Sequence, residues 1–268
     1  MRRALLRSCA VLTLCASVPT LSLADESSFA KAPGWGGPSA LTLPKGRVEF
    51  GLLQSSRYGL TDRVELSLHP IWFFVLPHAE VKFRYFEHGR LALAARGRLS
   101  YPSIFFGLVS REGSGGLLPK TSDPPIALML EADAVASLEL APNALASLAL
   151  GLAVAPHGSF TNEELPLLDF PFLYPRFAPI YAPLVPRAAL NLESPLLAGL
   201  HLDVEFRGYL MPSLPDIGTA FALEQALSLE YRFGERAAVS LGIRVSEAEY
   251  PVGQRVHLLP FFDVRVGF

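Results

Sequence analysis

Between Leu196 and Leu210 the chain alternates with a period of two. The even positions are apolar or glycine (Leu196, Ala198, Leu200, Leu202, Val204, Phe206, Gly208, Leu210), and the odd ones include His201, Asp203, Glu205, Arg207 and Tyr209. Side chains of a strand point alternately to its two faces, so a run of about 15 such residues is one long strand with a greasy face and a charged face. A strand of that length exceeds what a soluble sandwich needs and matches one that crosses a bilayer.

The same pattern recurs. Val48, Phe50 and Leu52 alternate with Arg47 and Glu49; Val64, Leu66 and Leu68 with Arg63, Glu65, Ser67 and His69; Val81, Phe83 and Tyr85 with Glu80, Lys82 and Arg84. Arg90–Tyr101 carries Arg96 and Arg98 on its polar face, and Ile126–Leu140 carries Glu131, Asp133 and Glu139. Ala144–Ala155 has small residues there instead (Ser147, Ala149, Gly151, Ala153). Ile180–Glu193, Ala220–Phe233, Ala237–Glu249 and Arg255–Phe268 complete the set. Hydrophobic residues make up 50% of the chain, and the mean hydropathy is +0.32. No segment after the N-terminus is a membrane helix; the most apolar, Ala144–Ala155, is too short. Hydrophobicity spread by alternation is what a membrane barrel requires, because lipid leaves no water for a free backbone group.

The first residues follow a different logic. Arg2, Arg3 and Arg7 precede an apolar run from Ala10 to Val18 and small residues at Ser22 and Ala24. This is the pattern of a secretory signal peptide over residues 1–24, cut after Ala24. Both cysteines, Cys9 and Cys15, lie inside it, so the mature chain is expected to hold no disulfide and no cysteine metal site. Losing three of 23 basic residues against 25 acidic ones leaves a mildly acidic product, which argues against nucleic acid as a partner.

Residues 25–45 read as a loose Gly- and Pro-rich segment ending in a short first strand at Ser39–Leu43, and 46–268 as the barrel. Tight turns are expected near residues 59–62, 87–90, 141–143, 193–195 and 233–235. They alternate with looser connections, of which 102–125 and 156–179 are the longest. Short turns on one rim and long loops on the other are the topology of outer-membrane barrels. Both ends on the turn rim require an even number, so an all-β, antiparallel, up-and-down transmembrane barrel of about twelve strands is predicted, with ten and fourteen as the neighbouring counts.

The chain closes with Phe261-Phe262-Asp263-Val264-Arg265-Val266-Gly267-Phe268, which resembles the C-terminal recognition strand of Gram-negative outer-membrane β-barrels. Leu43–Glu49 and Tyr58–Leu66 are similar to segments of poorly characterised outer-membrane transporters. The resemblance implies an integral outer-membrane location, outer-membrane lipid as surroundings, and the barrel-assembly machinery as a partner reading the strand that ends at Phe268. It also implies transport of small solutes.

If the faces are assigned correctly, Glu49, Glu65, Lys82, Arg84, Arg96, Arg98, Glu131, Asp133, Asp203, Glu205, Arg207, Glu230, Arg232, Arg244, Asp263 and Arg265 all face the lumen. They would either line a charged constriction or fill a narrow barrel with ion pairs. The 156–179 loop is too apolar for a solvated tip, and Phe170, Phe172 and Tyr174 are its candidates for narrowing the mouth. No histidine pair has metal-ligand spacing, and His78, His88 and His157 read as solvated residues of loops and turns. Gly113–Thr121 lacks the glycine before lysine that a phosphate loop needs, so no cofactor or metal is expected. Adjacent carboxylates such as Glu131/Asp133 follow from strand alternation alone, so no enzyme is expected either. The expected function is a narrow pore or transporter for small solutes. A closed, ion-pair-filled barrel with a structural or surface-binding role is the alternative, and a membrane-embedded lipid-modifying enzyme comes third.

Overall fold

A computed structural model describes residues 35–114, 116–120, 126–156, 172–214, 218–250 and 253–268. Its strands are β1 (Val48–Gly51), β2 (Ser56–Thr61), β3 (Val64–Leu68), β4 (His78–His88), β5 (Leu91–Ser100), β6 (Met129–Ala141), β7 (Ala144–Val154), β8 (Val185–Leu197), β9 (Leu200–Leu214), β10 (Gly218–Phe233), β11 (Ala237–Tyr250) and β12 (Gly253–Gly267). Each pairs antiparallel with its sequence neighbours, and β1 pairs with β12 to close a twelve-stranded barrel. The segment expected to be a signal peptide, Phe170 and most of the 156–179 loop lie outside the described residues.

Alternation sorts the two faces as expected. Phe50, Val81, Phe83, Leu130, Leu150, Leu227 and Ile243 stand on the outer wall, while Glu49, Glu65, Lys82, Asp133 and Glu224 are buried inside. An outer belt this apolar is stable only in lipid. One rim carries the tight turns, at 62–63, 89–90, 142–143, 198–199 and 234–236, together with Val48 and Gly267 at the closing seam. Asn143 and Gly199 take positive φ there (63° and 78°), the backbone a two-residue hairpin turn demands.

Three boundaries depart from expectation. Ser39–Leu43 is not a strand; the twelfth member is β2, over a stretch whose sequence reads as turn, and the turn itself falls at 62–63. The cause is Gly59, which breaks the alternation because the 44–46 chain crosses it closely. Its N–H bonds Arg47 O (2.9 Å), its carbonyl accepts Gly46 N–H (2.8 Å), and a Cβ there would run into the carbonyls of Leu43 and Pro44. The turn expected at 193–195 falls instead at 198–199. Ser194 and Pro195 lie within β8, where a register shift between Pro195 and Leu197 accommodates a residue with no N–H. Finally, Ile180 does not open a strand. It belongs to helix α2 (Tyr174–Tyr181), which has proline in its first turn, and β8 starts only at Val185. A second helix, α1 (Ser103–Val109), lies in the 102–125 connection. No helix among the described residues is long and apolar enough to span a membrane.

Candidate functional site

The lumen is occupied in three layers. On the turn side it holds the chain from Trp35 to Pro44, which forms no strand and must find partners for its backbone. Inward side chains supply them. Glu49 accepts Gly36 N–H (2.9 Å), Glu65 accepts Leu43 N–H (3.0 Å), Ser137 Oγ accepts Ala40 N–H (2.7 Å) and Arg265 donates to Gly36 O (2.8 Å). Lys82 lies 3.0 Å from Glu65 and 3.3 Å from Ser39 O. The Trp35 ring sits beneath the guanidinium groups of Arg47 and Arg265, 5.4 and 5.1 Å from its centroid. Ala40 and Leu41 pack on small inward residues of the wall, Ala92, Ala94 and Ala149. Four of the expected pore-lining residues (Glu49, Glu65, Lys82 and Arg265) thus hold an internal stopper.

The middle layer is a belt of ion pairs. Asp133 accepts from Arg96 Nε (2.8 Å) and from Arg187 Nε and Nη2 (2.7 and 2.9 Å), and Arg187 also bonds Glu131. Gly151 lies between Asp133 and Arg187 in the ladder, and a Cβ there would collide with the Asp133 carboxylate. The small inner face of β7 is what lets Arg187 reach across. Arg98 pairs with Glu80 (2.8 Å), Arg207 with Glu205, and Arg244 with Glu205 at 3.4 Å. Arg232 joins Glu193 (2.5 Å) to Glu230 (2.7 Å), and Glu230 also takes Arg265. Asp203 accepts from Asn191 (2.8 Å) and Asp263 accepts Leu53 N–H (2.6 Å). Arg84 is separate, tied to Glu87 and Asp62 O at the turn rim. Arg187 is not among the residues expected in the lumen. A strand opened at Ile180 leaves the inward phase through Arg187, Ala189, Asn191 and Glu193 unassigned.

The loop side is closed by apolar groups. Phe177, Ile180 and Tyr181 of α2 pack with Phe105 and Phe106 of α1, the Phe177 ring lying 5.3 and 5.1 Å from theirs. Ala153, Ala220, Ala222 and Ala248 on the wall leave room for the helix. Tyr174 is buried and donates to Glu249 O (2.9 Å), while the Phe172 carbonyl accepts from Arg176. Arg176 reaches down to Glu224 (2.7 Å) and pins the layer to the belt. A cavity of about 50 Å³ lies within the belt, and one of about 30 Å³ lies between belt and layer.

The wall itself is uneven. β1, β2 and β3 have 4, 6 and 5 residues, whereas β9 to β12 have 14 to 16. A crossing strand needs about 9–11. β1 meets β12 along a short seam, through Glu49↔Gly267, Phe50↔Val266 and Gly51↔Arg265, with Val48 and Phe268 exchanging backbone hydrogen bonds at one end and Leu52 N–H reaching Val264 O (3.0 Å) at the other. Above this seam, residues 253–262 of β12 are paired with β11 and have no ladder partner on the β1 side among the described residues. Val256 and Leu258 on that edge are 63% and 65% exposed, against 45% for Leu130 in the fully paired wall. The facing lip is the 69–77 connection, with Ile71, Trp72, Phe73 and Phe74 exposed outside and Val75 and Leu76 packed against the inner apolar layer. Two histidines brace it. The His69 ring bonds Leu53 O (2.9 Å) and accepts Trp72 N–H (3.2 Å), while His78 accepts His69 N–H (3.0 Å) and bonds Leu76 O (2.8 Å). His78 is therefore part of this brace and not the solvated loop residue its sequence context suggests.

A closed antiparallel barrel with a lipid-facing belt, short turns on one rim and long connections on the other has the fold of an outer-membrane β-barrel. No protein-family model matches the chain, and no curated protein matches it. Among solved structures, an outer membrane channel from Pseudomonas putida F1 is similar at a TM-score of 0.51 with 12% identity, over 88% of this chain and 100% of that one. OmpT, an outer membrane protein of Vibrio cholerae, matches at 0.43 with 11% identity over 80% of this chain, and OccK5 of Pseudomonas aeruginosa at 0.42 with 14% identity over 84%. The chain spans 63% of the length of each of these last two.

Proposed function

We propose that this barrel carries small, largely apolar solutes across the outer membrane, and that they enter through the low wall beside β12. The observation that carries this reading is the upper part of β12, which has no ladder partner on the β1 side among the described residues and carries the exposed apolar side chains Val256 and Leu258. An unpaired strand edge at membrane depth is costly unless something covers it or passes through it. The axial route is obstructed at both ends, which weighs against an open aqueous pore. Glu131, Asp133 and Glu205, which could serve acid–base chemistry, are held in ion pairs, and this favours transport over catalysis. Residues 1–24 serve in this reading as the leader, and the seam strand ending at Phe268 as the element the assembly machinery binds.

Uptake of the apolar fluorescent probe phenylnaphthylamine by outer-membrane-bearing cells tests the proposal. Cells producing the barrel are expected to take it up faster than cells without it, and the refolded protein is expected to pass little ionic current in a planar bilayer. Large conductance steps with background probe uptake would overturn it in favour of a hydrophilic pore. A heat-modifiable barrel with neither activity would favour the second reading, a closed barrel with a structural role, which the stoppered lumen also supports.

A further inference from the structure

Of the two cavities, the smaller lies beneath α2 and the larger within the belt, and Arg98, Arg187, Arg207 and Glu131 line both. Arg96 completes the larger and Arg176 the smaller. Where ion pairs border this space, the arginine is the more exposed partner: Arg98 at 36% against 14% for Glu80, Arg207 at 28% against 15% for Glu205, and Arg176 at 27% against 4% for Glu224. On the turn side Lys82 and Glu65 (4% and 3%) and Arg265 and Glu230 (8% and 9%) show no such difference, while Arg47 at the rim is 14% exposed against 1% for Glu49. The smaller cavity is therefore faced by four guanidinium groups, of Arg98, Arg176, Arg187 and Arg207, against the one carboxylate of Glu131, whereas Glu80 and Asp133 also line the larger. Arg98 directs Nε and Nη2 to a single oxygen of Glu80, so its Nη1 donors make no hydrogen bond among the described residues.

Guanidinium donors facing a small, sheltered cavity are a receptor for a planar oxyanion, which they bind through two parallel N–H bonds. Apolar groups adjoin them: Val185 and Tyr209 line the smaller cavity and also belong to the α1–α2 layer. We propose that this chamber binds the carboxylate of a small amphipathic solute whose apolar part lies in the adjoining layer. The volumes suit a carboxylate and not a whole solute, so the apolar part must displace side chains of α1 or α2, and binding is coupled to parting of the loop-side layer. For the apolar half of the ligand this rests on the transport reading; the carboxylate site rests on the arginines themselves.

Calorimetric titration of the refolded full barrel in a non-ionic detergent with benzoate, benzyl alcohol and inorganic phosphate tests it. Benzoate is expected to bind about tenfold or more tightly than either of the others, a difference of about 1.4 kcal/mol. The double variant Arg98→Gln/Arg207→Gln is expected to reduce benzoate to the level of benzyl alcohol, with heat-modifiable migration showing that the barrel has formed. Should that variant not refold, Arg207→Lys keeps the charge and loses the fork, and is expected to weaken benzoate severalfold. Equal binding of benzoate and benzyl alcohol, phosphate binding as tight as benzoate, or unchanged benzoate affinity in the variants would each overturn the proposal. Arginine-dependent benzoate binding without phenylnaphthylamine uptake would refute the transport reading and leave this site standing. Uptake without arginine-dependent binding would do the reverse.

Discussion

The turn-side and loop-side halves of the lumen are built from the same residue types on the same strands, yet they do different work. Around Trp35–Pro44, Lys82 and Arg265 are as covered as their carboxylates, because a threaded backbone fills the space and hydrogen-bonds with both signs. Beneath α2 the filling is apolar and stops short of the belt, so Arg98, Arg176, Arg187 and Arg207 border a small free space. Alternation delivers charge to a lumen; what packs against that charge decides whether it is scaffolding or an open surface.

Removing both stoppers is the severest test of this contrast. Deletion of Trp35–Leu43 combined with Phe105→Ala and Phe177→Ala is expected to produce discrete conductance steps in a planar bilayer, while either change alone gives far smaller ones. If one change alone suffices, the two halves do not close the lumen independently. Next in size is a contrast of single charges, read from urea unfolding of the refolded barrel. Lys82→Met strands the buried Glu65 and is expected to cost about 3–5 kcal/mol. Arg98→Met leaves Glu80 within reach of cavity water and is expected to cost about 1 kcal/mol. Equal costs would erase the distinction between the halves. Gly151→Val drives a side chain between Asp133 and Arg187 and is expected to cost about 1–3 kcal/mol, with a Gly151→Ala variant falling below it. Smallest is Tyr174→Phe, which removes the hydrogen bond to Glu249 O and is expected to lower stability by about 1 kcal/mol in the same assay.

Much of this is legible from single residues. Glu49, Lys82, Asp133, Glu205 and Asp263 are read as inward because a strand offers only two faces; four of them are buried inside and Glu205 meets Arg207 and Arg244 there. The strand number follows from parity, although the member supplied is β2 and not Ser39–Leu43. Gly59 hides β2, since a glycine kept for close backbone approach carries the same signature as a turn glycine. Pro175 and Pro179 in α2 fall in a stretch that reads as a stiff loop, and burial among Phe105, Phe106 and the wall alanines accompanies its helix. Arg187 escapes a reading of the sequence because its partner Asp133 is 54 residues away and Gly151, which admits it, lies on another strand.

Alternation by itself determined that this chain forms strands, which side chains face lipid and which face inward, because the side-chain period of a strand is a local property of the backbone. The length of wall each strand shares with its neighbour, and hence the low side beside β12, was decided by the tertiary structure. β12 lies far along the chain from β1, and whether its upper edge finds a partner depends on where β1 ends when the ring closes. The contents of the lumen were decided the same way. Glu65 and Arg98 carry no local mark that one will hold a backbone stopper and the other will face open space.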